Sequence, residues 1–317
     1  MHWGIAFKSI VSRLKARKHI DEYDLNAYYC AKSLPLCSEI EFDCVIGYQI
    51  LSPTVVSTAL FRIKGKKKIL FVHGRNVRPN NLINFFDKVY NQFDRIFCVS
   101  KQTQSDFNEL FPISSNKTEV MYNLFDNNRI IGLSTEPSET TFRNDNINIV
   151  TVGRLVSVKG QDMIPKTTKL LKDVGYSVFW YIIGEGDLRK EIDNESKQLN
   201  VNDNVILLGT QLNPYPYIKN CDIYVQPSYS EGYCTTTMEA KILQKPIVTT
   251  DAPGMREQFV SGENGLIVDE MTPEALFDGI KTLIDHPEMR EKFVENLKNE
   301  GYDNSKELQK LYDFIES

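Results

Sequence analysis

In INIVTVGRLVSVKG, Ile147–Gly160, a short apolar run stops at a glycine, and two cations follow before a second glycine. The run predicts a buried strand over Ile147–Val152, and the residues beyond Gly160 predict a helix. A strand, a glycine turn and a helix start bring backbone N–H groups beside Arg154 and Lys159. That is a good place for a diphosphate, because a guanidinium binds its oxygens bidentately while an ammonium adds a point charge. Alone the feature is weak, since a basic residue after a strand is more often simply solvated.

The same alternation of short apolar runs and amphipathic segments extends in both directions. Downstream it predicts strands over Val178–Gly184, Val205–Leu208, Ile223–Gln226, Pro246–Thr249 and Gly265–Val268, with helices between nearly all of them. Upstream it predicts strands over Asp43–Tyr48, Lys68–His73, Arg95–Ser100 and Thr118–Tyr122, with helices over Pro79–Asn91 and Lys101–Leu110. Repeated βαβ units of this kind make parallel sheets. Asp126–Asn146 is polar and contains Pro137, so it reads as a boundary. The expected organisation is an N-terminal domain over 1–130, a linker over 131–146, a second domain over 147–300, and a last helix over 301–317 that packs back toward the first domain.

Length and composition agree with two domains. A chain of 317 residues exceeds one ordinary core, and 41% hydrophobic with 25% charged residues are globular values. No apolar run reaches the ~18 residues that span a bilayer, and the start lacks the pattern of a signal peptide, so a cytoplasmic location is expected. The six cysteines form no CxxC pair and only four histidines accompany them, which argues for reduced, mostly buried thiols and against a metal site. No nucleic-acid partner is expected for a chain of net charge −5.

The charge is nevertheless polarised. Lys8, Arg13, Lys15, Arg17 and Lys18 precede the first acidic residue, Asp21. On a helix, Trp3, Phe7, Ile10, Val11 and Leu14 form one apolar stripe with these cations mostly off it, the pattern of an interfacial helix. Residues 3–18 are therefore a candidate contact with the inner face of the cell membrane, and an ordinary surface helix packed on the first domain is the alternative. A second basic cluster, Arg62, Lys64, Lys66, Lys67 and Lys68, favours anionic lipid, although a solvated turn has the same composition.

Two further motifs add chemistry. Gly184, Glu185, Gly186 and Asp187 end one predicted strand, where glycines let a ligand approach the carboxyl edge of a parallel sheet. PSYSEGYCTTTMEA, Pro227–Ala240, places Glu231 and Glu239 on either side of a turn that leads into a helix. Its first-turn amides near Cys234–Thr236 suit phosphate or sugar oxygens, Glu239 a ribose diol and Glu231 sugar hydroxyls. The alternative is a surface helix capped by Ser230 or Thr235 in which Glu239 pairs with Lys241 or Lys245.

Taken in order, GRLVSVKG (153–160), IIGEGD (182–187), LLG (207–209), NCDIYVQPS (220–228), the Glu231–Glu239 motif, KPIVTTDAPGMREQ (245–258) and SGENGLIV (261–268) resemble the donor domain of glycosyltransferase family 4, the retaining glycosyl transferases of group 1. The resemblance implies an α/β protein of GT-B fold, two Rossmann-like domains facing across a cleft. It implies that Arg154 and Lys159 bind the donor diphosphate, Glu239 the ribose and Glu231 the transferred sugar. Gly153, Gly184, Gly232, Tyr233, Cys234 and Thr235 then line the donor site, with Leu208 and Gly209 near the base. Cys234 stands where family members often have glycine, which leaves the donor sugar open. In the first half, KILFVH (68–73) with Gly74, VSKQTQSDF (99–107) and VMYNLFD (120–126) resemble the family more loosely and make His73 the candidate near the anomeric centre. No glycine-rich turn precedes residue 47, so the N-terminal domain is expected to be abbreviated, or completed by a partner protein.

The expected activity is retaining, metal-independent transfer of a hexosyl group from a UDP- or GDP-sugar to a saccharide or lipid-linked acceptor of a bacterial surface polysaccharide such as capsule, with no cofactor. His73 and Glu231 are its catalytic candidates. The chain lacks an Asp-x-Asp pair, so Arg154, Lys159 and a helix N-terminus must meet the leaving charge. Two rivals are a non-catalytic nucleotide-sugar-binding subunit of a transferase complex and a nucleotide-sugar epimerase of GT-B fold.

Overall fold

The computed structural model describes residues 22–50, 52–74, 82–140, 142–143 and 145–317. The described residues fall into two compact units, the part up to Asn123 together with Ser305–Ser317, and Leu124–Asn304. The basic stretch 3–18 lies outside the described residues.

In the first unit, helix α1 (Glu22–Ser33) precedes strand β1 (Glu41–Gly47), α2 (Pro53–Phe61) leads to β2 (Lys64–Val72), α3 (Ile83–Tyr90) to β3 (Arg95–Cys98), and α4 (Lys101–Leu110) to β4 (Thr118–Val120). The four strands are parallel and lie in chain order, β1-β2-β3-β4. Side chains alternate across the sheet. Leu70, Val72, Ile96 and Cys98 pack with Leu25, Phe86, Tyr90 and Phe107 of the helices. On the other face Ile69, Phe71 and Phe97 meet Met121 and the C-terminal helix Ser305–Glu316 through Leu311, Phe314 and Ile315.

Strand β2 begins at Lys64, ahead of the predicted Lys68, because neighbouring groups absorb its cations. Lys64 pairs with Glu39 and Lys66 with Asp43, each at 2.7 Å. Lys67 donates to the Phe314 carbonyl and the Ser317 hydroxyl, Lys68 to the carbonyls of Leu60 and Ile63, and Arg62 to that of Pro35. The second basic cluster is therefore tied into the fold and is not a free cationic patch. All six cysteines are free thiols, but only Cys98, Cys221 and Cys234 are buried, while Cys30 and Cys44 are half-buried and Cys37 is exposed. No helix among the described residues is long and apolar enough to cross a membrane.

The second unit opens with α5 (Asn127–Leu133), inside the stretch 126–146 read as a boundary and across the expected junction of first domain and linker at 130/131. Asp126 caps it by accepting from the Arg129 N–H at 3.0 Å, and Ile130 anchors it in a core cluster, so one buried side chain outweighs a polar composition. Then follow β5 (Ile147–Val152), α6 (Ile164–Asp173), β6 (Val178–Ile183), α7 (Arg189–Gln198), β7 (Val205–Gly209), α8 (Tyr215–Asn220), β8 (Ile223–Gln226), α9 (Thr235–Ile242), β9 (Ile247–Thr250), α10 (Met255–Gln258), β10 (Leu266–Val268), α11 (Pro273–Asp285) and α12 (Pro287–Glu300). Six parallel strands lie in the order β10-β9-β8-β5-β6-β7. Ile149, Trp180, Ile182, Val225 and Val248 pack on one face; Val150, Tyr181, Ile183, Tyr224 and Ile247 pack on the other. The chain runs outward from β5 to β7, then returns to place β8 on the opposite side of β5. Strand order reverses there, and the crevice outside the carboxyl ends of β5 and β8 is where such sheets bind ligands.

Candidate functional site

The turns at these carboxyl ends are joined to one another by their backbones. Gly153 N–H donates to the Ile183 carbonyl at 2.9 Å, Leu155 N–H to Glu185 at 2.9 Å, Gly184 N–H to Gly209 at 2.8 Å, and Tyr229 N–H to Val158 at 2.9 Å. The approach is too close for side chains at three points, Gly160, Gly184 and Gly186, and tightest at the first two. A Cβ on Gly160, whose φ is +67°, would stand 2.0 Å from the Pro227 carbonyl oxygen, and one on Gly184, with φ +142°, 2.0 Å from that of Gly153.

This frame brings Lys159 onto Glu231, 72 residues apart in sequence. The ammonium reaches Oε1 at 2.7 Å and Oε2 at 2.8 Å, with the carboxylate nearly buried. An ammonium has three N–H groups, so one remains for another acceptor. Arg154 is exposed and has no ion-pair partner among the described residues. Cys234 is the N-cap of α9, and its side chain makes no cap hydrogen bond, so the first-turn N–H groups at Thr235 keep the positive end of the helix dipole without a side-chain cap.

Glu239 lies further along α9 and points inward. Tyr215 donates to its Oε1 at 3.1 Å, while Lys241 is taken by Glu300 and Lys245 by the Lys219 carbonyl. The alternative of a surface pair with either lysine is excluded. Burial raises the Glu239 carboxyl to about 7, and the Tyr215 hydrogen bond only partly opposes this. Burial, then the neighbouring carboxylate, pushes the Tyr215 phenol up to about 12, so it stays a donor.

Cys234 stands at the start of α9. Its side chain is 2% exposed, packs in the core and lies 3.3 Å from the Thr236 hydroxyl, so only its backbone borders the crevice. Burial lifts its thiol to about 11. Leu208 and Gly209 end β7, beside an ion pair of Glu185 and Arg189 at 2.7 Å. Gly232 and Tyr233 follow Glu231 in the same turn, with Tyr233 buried. Gly153, Arg154, Lys159, Gly184, Glu231 and Glu239 thus gather around β5, β6, β8 and the start of α9, with Leu208 and Gly209 at the neighbouring strand.

His73 belongs to the first unit, just beyond β2. It stands against Tyr48, ring centroids 4.5 Å apart, at a cavity of about 510 Å³ lined by Tyr48, Gln49, Ile50, Val55, His73 and Gly74. Its Nε2 has no hydrogen-bond partner among the described residues, and burial lowers its pKa, which favours the neutral ring.

Comparison with known proteins gives this arrangement a family. The model for glycosyl transferases group 1 matches residues 134–300, more than half of the chain. The chain belongs to the glycosyl transferases group 1 family. The model for glycosyltransferase family 4 matches residues 13–129 as well. Among the group 1 relatives, a Campylobacter jejuni N-acetylgalactosamine-N,N'-diacetylbacillosaminyl-diphospho-undecaprenol 4-alpha-N-acetylgalactosaminyltransferase is 30% identical over 69% of this chain and 59% of its own length. The Staphylococcus aureus capsular polysaccharide biosynthesis glycosyltransferase CapM is 30% identical over 58% of this chain and 47% of its own. The chain therefore spans about half to three-fifths of these relatives. Anabaena HepE in complex with UDP and glucose superposes with a TM-score of 0.71 at 19% identity, covering 83% of this chain and 74% of that one. Staphylococcus aureus TarM in complex with UDP, fondaparinux and alpha-GlcNAc-glycerol superposes at 0.69 and 18% identity, covering 82% and 53%. The fold is GT-B, with two Rossmann-like domains.

Within this group 1 framework, sequence reasoning missed three residues that shape the site. Tyr215 is Glu239's partner from a different helix, and Gln226 and Ser228 lie buried behind Glu231. Polar side chains at the end of an apolar strand, in NCDIYVQPS, were the available signal for the last two.

Proposed function

We propose that the chain transfers a hexosyl group, with retention and without a metal ion, from a UDP- or GDP-sugar to a saccharide or lipid-linked acceptor in surface-polysaccharide synthesis. The observation that carries this is the constellation at the β5/β8 reversal. Arg154, Lys159 with its spare N–H and the uncapped start of α9 all belong to the turns there, as do Glu231 and, further along α9, Glu239, and a diphosphate held by these cations and amides is the reading they support. Leaving-group charge is the main barrier in such a transfer, and fixed cations with oriented amides lower it without reorganising.

The proposed roles follow the chemistry of each group. Arg154 and Lys159 bind the diphosphate, ionised Glu239 accepts from the ribose hydroxyls, and Glu231 holds hydroxyls of the transferred sugar. His73, neutral and with an unengaged ring nitrogen, is the first unit's candidate for orienting a hydroxyl near the reacting carbon. The departing phosphate would help remove the acceptor's proton in a front-face displacement. Likeness to an enzyme named for a diphospho-undecaprenol substrate supports the lipid-linked acceptor, and likeness to proteins solved with UDP supports the donor class. Residues 3–18 would supply contact with the inner membrane surface.

The test is calorimetric titration of the purified chain with UDP and GDP, in EDTA and in magnesium, followed by turnover of the matching nucleotide sugars. Binding in EDTA that Arg154→Ala and Lys159→Ala each weaken at least tenfold is expected. No affinity for either nucleotide, or affinity only with magnesium, would overturn the reading.

A further inference from the structure

Gln226 and Ser228 are completely buried, yet the roles assigned above use neither. Polar side chains without water are costly unless their hydrogen bonds are made, and a parallel strand with both faces covered is built more cheaply from apolar residues. Theirs are made, and made in one direction. Gln226 Oε1 accepts from the Tyr224 hydroxyl at 2.9 Å and from the Thr236 hydroxyl at 3.1 Å. The amide nitrogen therefore faces the other way and donates to Ser228 Oγ at 2.9 Å. Having accepted, Ser228 spends its single proton on Glu231 Oε1 at 2.6 Å. Lys159 closes the chain from the far side.

The backbones beneath are fixed as well. Thr249 donates to the Gln226 carbonyl at 3.0 Å, and Thr250 donates to that of Ser228. We propose that Gln226 and Ser228 are positioning residues, a buried relay that holds the Glu231 carboxylate against Lys159 and presents its less occupied oxygen, Oε2, to the transferred sugar. The count of bonds supports this. Oε1 receives both Ser228 and Lys159, whereas Oε2 receives Lys159 alone and keeps room for a sugar hydroxyl. Aligned donors polarise one another, so the serine reaches Glu231 as a stronger donor than an isolated hydroxyl. The relay rests on the functional reading above for what Glu231 does, but not for whether Glu231 is held.

Two measurements on the full chain separate these. In donor-free protein, urea unfolding of Ser228→Ala, Glu231→Ala and the double variant forms a cycle. The midpoint drop caused by Ser228→Ala should shrink by more than half when Glu231 is already absent, and an unchanged drop overturns the relay. In steady-state turnover of whichever UDP- or GDP-sugar the chain uses best, Ser228→Ala should lower kcat about tenfold, the loss of one charge-assisted hydrogen bond, with the UDP or GDP Kd within about twofold of wild type. Ser228→Thr, which keeps the hydroxyl, should recover most of the rate. A parallel loss of nucleotide affinity, or no recovery by threonine, marks a merely structural serine and overturns the positioning role. A wild-type chain that neither binds nor uses nucleotide sugars defeats the functional reading instead, and the unfolding cycle then decides by itself whether Glu231 is held.

Discussion

At Glu239 two local effects oppose each other, and burial wins. Desolvation favours the protonated carboxyl, while the Tyr215 hydrogen bond favours the charged one, and the result is a carboxyl near 7 in place of the ordinary 4.5. The folded chain therefore binds more protons than the unfolded chain between these values. This group's contribution to stability is unimpaired below about 4.5, falls as pH rises through the window, and is lowest above about 7. The difference amounts to roughly 3 kcal/mol at pH 8. Glu239→Gln in the donor-free protein should thus melt several degrees above wild type at pH 8 and nearly level with it at pH 4. Equal melting differences at the two pH values would contradict the assignment. Under the proposed function the same titration governs binding, since only the carboxylate accepts from both ribose hydroxyls. UDP or GDP affinity should tighten about tenfold more from pH 6 to pH 8 in wild type than in Glu239→Gln, whose remaining dependence reports only the nucleotide's own terminal phosphate.

At the scale of elements, two glycines make opposite predictions. Gly160 joins two turns of 3-10 helix at φ +67° with the Pro227 carbonyl where a side chain would go. Gly160→Ala must push the β5 and β8 turns apart, and a loss of about 3 kcal/mol or more in urea unfolding is expected. Gly132 lies in α5 with open space around it, so Gly132→Ala should stabilise by about 0.5–1 kcal/mol through helix propensity alone. If both variants move stability the same way, local crowding is not what fixes Gly160. These elements also show what the sequence could reveal. The strands of the second unit were legible because burial on both faces leaves continuous apolar runs, such as VFWYII in β6. The helix α5 was hidden in a polar stretch that one buried isoleucine holds in place. Glycine turns and carboxylates were legible as candidates because their spacing is local. That Lys159 meets Glu231, or that Tyr215 meets Glu239, depends on strand order, which no local pattern specifies.

At the scale of the molecule, the chain's last segment completes its first sheet. The C-terminal helix Ser305–Glu316 covers the face formed by Ile69, Phe71, Phe97 and Met121, and each unit has its own core clusters. Phe314 is the centre of that cover. The Lys67 ammonium and the Arg95 guanidinium each lie 4.9 Å from its ring centroid, and Lys67 also donates to its carbonyl. Glu307 and Lys310 fasten the helix start to the backbone of Tyr122 and Val120 at 2.9 and 3.0 Å. Truncating a half-buried aromatic ring removes its apolar contacts and both cation–π partners, a loss of about 2 kcal/mol. Phe314→Ala should therefore speed amide hydrogen exchange roughly 30-fold in β2 and β3, over Ile69–Val72 and Ile96–Cys98, while Val178–Ile183 of β6 keeps its wild-type protection. Exchange that is unchanged in β2, or that rises equally in both sheets, would mean that the helix is an appendage and not the missing layer of the first sheet.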